Sequence, residues 1–360
     1  MQIGPGPASS LIRPRQPNQR QSNQSRWLLQ VCLVGCLCVS FCTAQQAIVL
    51  VGSGSSVPGP LYAKWAEEYN KHTPKIQMRY LPLGTSEGIR QIVRGSGDFA
   101  AGETPLTANE QGSGKLVELP TALIAIVPIY NVPGIQREVR FSGEVLAEIF
   151  LGHIKTWDSP IIAKVNPQLS LPNLPIKVIY RPAGKGSNYV FSEFLSKTSA
   201  KFRAEIGTSS SPKWPVGVSA ERSADMAEKV KSDPGSIGFV EYQYAVKEQI
   251  PYGSVLNRAG HFVKPSAATI SAACKSVEAP GWDKFSASLI DTADPDSFPI
   301  TSFTWLYLPT GSHDPARASA VADLLNWMFS EGQAIAVQEG YSSLPPPLLE
   351  KVNGRVRSLR

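Results

Sequence analysis

The chain of 360 residues is 42% hydrophobic and 18% charged, with 29 Gly and 30 Pro, enough apolar material for a sizeable core and about two domains, which excludes a disordered or fibrous polypeptide. Thirty-five Lys and Arg against 29 Asp and Glu give +6, but Arg13, Arg15, Arg20 and Arg26 lie in the first 26 residues, where no acidic residue occurs. Without those four the balance is 31 to 29, or +2, too little for the positive field that polynucleotide binding needs.

Residues 1–26 are polar and basic and precede the apolar run Trp27 to Phe41, which is short for a membrane span and fits the hydrophobic region of a secretory leader. Small residues at Cys42-Thr43-Ala44 predict cleavage after Ala44. Two alternatives stand: Leu33-Val34-Gly35-Cys36 has the form of a lipobox that would leave a lipid-anchored Cys36, and the run could be retained as a membrane anchor. Cys32, Cys36, Cys38 and Cys42 all fall in this leader, so Cys274 is left alone in the body and neither an intramolecular disulfide nor a cysteine metal cluster is expected there. The expected product is a periplasmic protein with no cofactor or metal.

Ala47 to Val51 reads as a buried strand running into Gly52-Ser53-Gly54-Ser55-Ser56 and then a helix with Leu61, Trp65, Ala66 and Tyr69 at core spacing. A second strand, Ile76 to Leu83, meets Gly84-Thr85-Ser86-Glu87-Gly88 and a short helix carrying Ile89, Ile92 and Val93. Ala122 to Tyr130 has the apolarity of a central strand, and Ser142 should cap a helix with Val145, Ile149 and Phe150 on one face. Ile176 to Tyr180 predicts a third strand, leading through Arg181-Pro182-Ala183-Gly184-Lys185-Gly186-Ser187-Asn188 into a helix of Tyr189, Phe191, Phe194 and Leu195. Further strands are expected at Ile237 to Tyr242 and Ile300 to Leu308, and an amphipathic helix at Ala316 to Phe329. Strands alternating with helices indicate an α/β architecture.

The strand, small-residue loop and helix arrangement occurs three times. The first turn of a helix leaves backbone N–H groups unpaired and carries roughly +0.5 charge, so three ends aimed at one point give about +1.5, and Arg181 raises this to about +2.5. Such a site suits a divalent tetrahedral oxyanion, although any one of these loops alone is explained by turning the chain. Glu103, in Ala100 to Leu106, repels an anion unless the anion brings a proton to donate. Hydrogen phosphate does so at neutral pH and sulfate does not, so an acceptor here would discriminate between them. A solvated loop glutamate or helix cap is the plain alternative.

In Gly52 to Trp65, Gly84 to Gly88, Arg181 to Ser187, Lys213-Trp214-Pro215-Val216-Gly217, Gly238-Phe239-Val240-Glu241-Tyr242 and Ser343-Leu344-Pro345, the chain resembles the periplasmic phosphate-binding proteins that serve phosphate-specific ABC importers. The resemblance implies a type II-like periplasmic binding protein of two α/β lobes, each a mixed sheet flanked by helices, with phosphate in the cleft between them. It places a signal peptide at 1–44, lobe I at 45–128 and 266–352, lobe II at 129–265 and a tail at 353–360. It also implies a monomer that binds inorganic phosphate and hands it to membrane permease subunits, with no catalysis. By position Ser56 and Val57 match the first-loop donors, Thr85 the second-loop hydroxyl, Arg181 the phosphate-pairing arginine, and Gly186 and Ser187 the third-loop donors. Three positions depart from the pattern. Glu103 stands where the family usually has an aspartate accepting the phosphate proton, Ala183 where a second aspartate orients the arginine, and Lys185 where a serine is usual. For Lys185 two readings are open: it neutralises Glu103, or it contacts the ligand.

Other chemistries are weaker. Gly84 to Gly88 fits G-x-S-x-G, so a serine hydrolase using Ser86 with His261 or His313 is formally available. Gly184-Lys185-Gly186-Ser187 fails as a Walker loop, having Gly186 where Ser or Thr should follow the lysine and no glycine five residues before Gly184. A binder of sulfate, molybdate or arsenate is the serious alternative.

Overall fold

A computed structural model describes residues 47–107, 109–110, 116–275, 285–311 and 314–358; the leader, with Ala44 and Cys36, and His313 lie outside the described residues. The first apolar run forms β1 (Ile48–Gly54) and turns into α1 (Gly59–His72), which buries Leu61, Tyr62, Trp65 and Tyr69 on one face. There follow β2 (Ile76–Leu81), α2 (Thr85–Val93), β3 (Phe99–Gly102), β4 (Leu116–Tyr130), β5 (Arg140–Phe141), α3 (Gly143–Phe150) and α4 (Pro160–Val165). Next come β6 (Lys177–Tyr180), α5 (Gly186–Thr198), α6 (Ala200–Glu205), β7 (Val218–Ser219), α7 (Ser223–Ser232), β8 (Ser236–Glu241) and α8 (Tyr242–Lys247). The chain continues through β9 (Ser254–Leu256), β10 (Phe262–Val263), α9 (Ala267–Lys275), β11 (Thr301–Pro309), α10 (Pro315–Met328), α11 (Glu331–Gln338) and α12 (Pro346–Arg357).

Eight strands form one mixed sheet in the order β2-β1-β3-β11-β4-β8-β6-β7, and β10-β9-β5 make a small second sheet. β1 is parallel to β2 and β3, and β6 is parallel to β7 and β8, whereas β11 and β4 run antiparallel to their neighbours. β4 pairs with β11 from Leu116 to Ala125 and with β8 from Ile126 to Tyr130, so this one strand joins the two halves of a two-lobed α/β fold. It is buried almost throughout, as a strand covered on both faces must be. It also starts earlier than the apolar pattern suggested. Pro120, which has no N–H for the ladder, lies opposite Trp305 where the register shifts, and that irregularity tolerates it.

The first lobe centres on Trp65, whose Nε1 donates to the Gly332 carbonyl at 2.8 Å and ties α1 to α11. In the second, Phe191 stacks on Phe239 at 4.3 Å, with Phe150 edge-on to Phe191. Each such buried aromatic contributes about 1.5–3 kcal/mol through lost water contact. α12 buries Val352 and Val356, so residues 353–357 belong to a packed helix rather than a loose tail. Val93, at the end of α2, is exposed. The cap expected at Ser142 is present: its side chain accepts from the Val145 amide at 3.2 Å. Ser142→Ala should lower the unfolding free energy by about 1 kcal/mol in denaturant titration, with the slope unchanged.

Candidate anion site

The three loops lie at the carboxyl ends of parallel strands, where open α/β sheets present their ligand sites. β1 delivers Ser55 to Pro58, β3 delivers Glu103 and β6 delivers Arg181, while Thr85 and Gly186 open α2 and α5. Small residues allow this approach. A side chain at Gly88 would place its Cβ 2.6 Å from the Gly54 Cα, so α2 can lie against β1 only without one. A Cβ at Gly186 would sit 1.9 Å from Glu103 Oε2 and 2.6 Å from Thr85 Oγ1. The start of α5, from one lobe, therefore abuts the carboxyl and the helix start of the other.

Glu103 is fully buried. Thr85 Oγ1 donates to its Oε2 at 3.3 Å, and Oε1 has no protein partner. Burial raises its pKa to about 8, the Glu241 carboxylate adds to that rise, and the Ser55, Thr85 and Thr304 side chains oppose it. The bare repulsion of an unprotonated anion expected from the sequence thus applies only above about pH 8; below that the carboxyl holds a proton of its own.

Arg181 is 1% exposed. Its Nη1 donates to Ser223 Oγ at 2.9 Å, and its Nη2 to the Glu221 carbonyl at 2.9 Å and to Ser56 Oγ at 3.3 Å across the cleft. Nε has no protein partner, and neither has the buried hydroxyl of Ser187 in the first turn of α5. Burial lowers the Arg181 pKa, opposed chiefly by Glu241 and then by Glu221. The loop from Arg181 to Asn188 is shaped by Asn188, whose Nδ2 donates to the carbonyls of Arg181, Pro182 and Ser210.

Of the residues singled out in the sequence, Ser56, Thr85, Glu103, Arg181, Gly186 and Ser187 come together here. Val57 is adjacent, but its amide donates to Ser55 Oγ at 3.1 Å, which occupies the donor expected for the ligand. Lys185 does not neutralise Glu103; its ammonium pairs with Glu221, a residue of its own lobe. Among the described residues Ser86 meets no histidine: its hydroxyl lies 3.4 Å from Ser210 Oγ, its amide donates to the Gly184 carbonyl at 3.2 Å, and His261 faces the Pro295 carbonyl. These Ser86 contacts hold the lobes together at the cleft edge.

Ser55, Asn188 and Glu241, which lie in segments the sequence marked, and Ser223 with four tyrosines were given no role from the sequence. Tyr80 donates to the Ser55 carbonyl at 2.7 Å, Tyr341 to that of Val57 at 2.8 Å and Tyr307 to that of Thr104 at 2.6 Å, while Tyr62 meets Thr121. Burial raises the pKa of all four phenols, which stay neutral; Tyr80, Tyr307 and Tyr341 anchor the loops from behind. Glu241, a lone acid in the apolar strand Ile237 to Tyr242, was the one available signal.

A family model for the PBP superfamily domain matches residues 42–332. The phosphate-binding protein PstS of Pasteurella multocida is 34% identical over 324 residues, covering 90% of this chain and 94% of its own. The chain belongs to the PstS family of phosphate-binding proteins. PstS of Haemophilus influenzae is likewise 34% identical, over 86% of this chain and 93% of its own. Among solved structures, an ABC-type phosphate transport receptor from Vibrio cholerae shares the fold with a TM-score of 0.57 at 17% identity, covering 82% of this chain and 100% of that one.

Because the Glu103 carboxyl is neutral in the folded protein and ionises near pH 4.5 when unfolded, it favours folding fully below pH 4.5, and that contribution is lost as pH rises to about 8. Anion-free protein should therefore lose stability between pH 5 and 8, on the order of 4 kcal/mol, and Glu103→Gln should lack this loss in thermal melts across that range.

Proposed function

We propose that the chain is the extracytoplasmic substrate-binding component of an ABC importer for inorganic phosphate, capturing the anion between its lobes and delivering it to membrane permease subunits. One observation carries the reading: Arg181 Nε, Ser187 Oγ and Glu103 Oε1 are all buried and without protein partners, and they come from both lobes. Buried polar atoms are nearly always paired, so a guanidinium donor, a hydroxyl and a carboxyl oxygen left over together call for a ligand that offers acceptors and can share one proton with that carboxyl. Hydrogen phosphate does. Kinship with the PstS proteins of Pasteurella multocida and Haemophilus influenzae supports the same assignment.

In this reading lobe I takes residues 45–128 and 266–352 and lobe II takes 129–265. The anion lies among Ser56, Thr85, Glu103, Arg181, Gly186 and Ser187. Arg181 and the first turns of α2 and α5 attract it, and the hydroxyls orient it. Val57 shapes the first turn, and Lys185, paired with Glu221, acts through its charge alone. Binding forms no covalent bond; closure exchanges the hydration of the anion for fixed donors. The apolar run Trp27 to Phe41 supports export, and among the described residues no helix is long and apolar enough to cross a membrane.

Glu103 and the anion share one proton. Hydrogen phosphate brings it, so Glu103 gives up its own on binding; sulfate brings none and is accepted only while Glu103 keeps its proton. Calorimetric titration should therefore show phosphate bound from pH 6 to 9, and sulfate weakening about tenfold per pH unit above about 8. Glu103→Gln, whose amide donates at every pH, should bind sulfate without that pH dependence. Sulfate binding that is as tight as phosphate and insensitive to pH in the wild type contradicts the reading.

A further inference from the structure

The guanidinium of Arg181 has five N–H groups, and their destinations decide which edge faces an anion. Nη1 donates to Ser223 Oγ and Nη2 to the Glu221 carbonyl, each at 2.9 Å, so the outer edge is tied to residues 221–223, at the start of α7. Nε is without a protein partner, and Nη2 reaches Ser56 Oγ at 3.3 Å. The edge bearing Nε and Nη2, with Nε unpartnered and Nη2 held only by the long 3.3 Å contact to Ser56 on that side, is therefore the one that can grip two oxygens of a single anion by exchanging Ser56 for it.

Glu241 decides what Ser223 can offer. Ser223 donates its one hydroxyl proton to Glu241 Oε1 at 2.9 Å, which leaves only lone pairs turned toward Arg181. With Ser223 at 7% and Glu241 at 2% exposure, water is poorly placed to replace either partner. The carboxylate comes from the end of β8 and the hydroxyl from the first residue of α7, so two separate elements converge on one guanidinium. Position 183, two residues past the arginine in the loop, carries only Ala183 and supplies no such anchor.

We propose that Ser223, its hydroxyl oriented by Glu241, is a positioning residue that turns the Nε and Nη2 edge of Arg181 toward the bound anion. This rests on the anion-binding reading above. Ser223 itself, its proton committed to Glu241, makes no contact with the anion.

The test compares Ser223→Thr with Ser223→Val, two side chains of one shape that differ in the hydroxyl, by calorimetric titration of the purified protein with inorganic phosphate. Thr is expected to bind phosphate about tenfold more tightly than Val. In an Arg181→Lys background, where there is no planar edge to aim, the ratio should fall below twofold. Ser223→Ala should match Val within about threefold, a control for the added bulk of both branched residues. Equal affinities for Thr and Val in the arginine background overturn the proposal, and so does a tenfold ratio that persists in the Arg181→Lys background. A purely structural role for the hydroxyl shifts the melting temperatures of the variants and leaves the affinity ratio near one. Wild-type protein that takes up no phosphate overturns the functional reading itself, a result distinct from wild-type binding with no difference between the variants.

Discussion

Glu103 leaves water at the end of β3 and meets the beginning of α5 from the opposite lobe, and a carboxyl in that place constrains everything around it. Residue 186 must be glycine, since a Cβ would lie 1.9 Å from Oε2, far inside van der Waals contact distance. Thr85 must present its hydroxyl from the first turn of α2, which in turn needs Gly88 against the backbone of Gly54. The carboxyl must stay neutral or be matched by a proton from elsewhere, because an unpaired buried charge is far more costly than a hydrogen-bonded neutral acid. A proton-bearing oxyanion meets all of these requirements together.

The sheet makes that meeting possible at modest entropic cost. β4 belongs to both halves, so the lobes share a rigid strand and can approach only along a restricted path. Ser86 on α2 then reaches the Gly184 carbonyl and the Ser210 hydroxyl, contacts that exist only with the lobes together. Behind the site, phenols from β2, β11 and the turn before α12 hold the carbonyls of Ser55, Thr104 and Val57. The loops that must be precise are thus fixed from the protein side as well as the ligand side.

Much of this was legible in the residue pattern. Apolar runs marked β1, β4, β6, β8 and β11, the Leu61-Trp65-Tyr69 spacing marked α1, and small-residue loops at 52–56, 84–88 and 184–187 marked the three turns that meet at the cleft. Local pattern failed where long-range geometry decides. β3 is only Phe-Ala-Ala-Gly, without the branched side chains that flag a strand, and becomes one by pairing with β1 and β11. The start of β4 was hidden by Pro120, which is tolerated only because the partner strand is irregular there. Lys185 looked free to reach Glu103 from its place in the loop, yet Glu221, 36 residues on, claims it. Ser223 and Glu241 likewise gain meaning only when α7 and β8 bring them to Arg181, a contact no short window can contain.

A high-resolution structure of the complex with phosphate tests the central assignment most directly. Two phosphate oxygens are expected about 2.8 Å from Nε and Nη2 of Arg181, with Glu103 Oε1 about 2.6 Å from a third, the short separation of a proton shared with a carboxylate. Phosphate bound outside the cleft, or bound within it with Glu103 turned away from every phosphate oxygen, would contradict it.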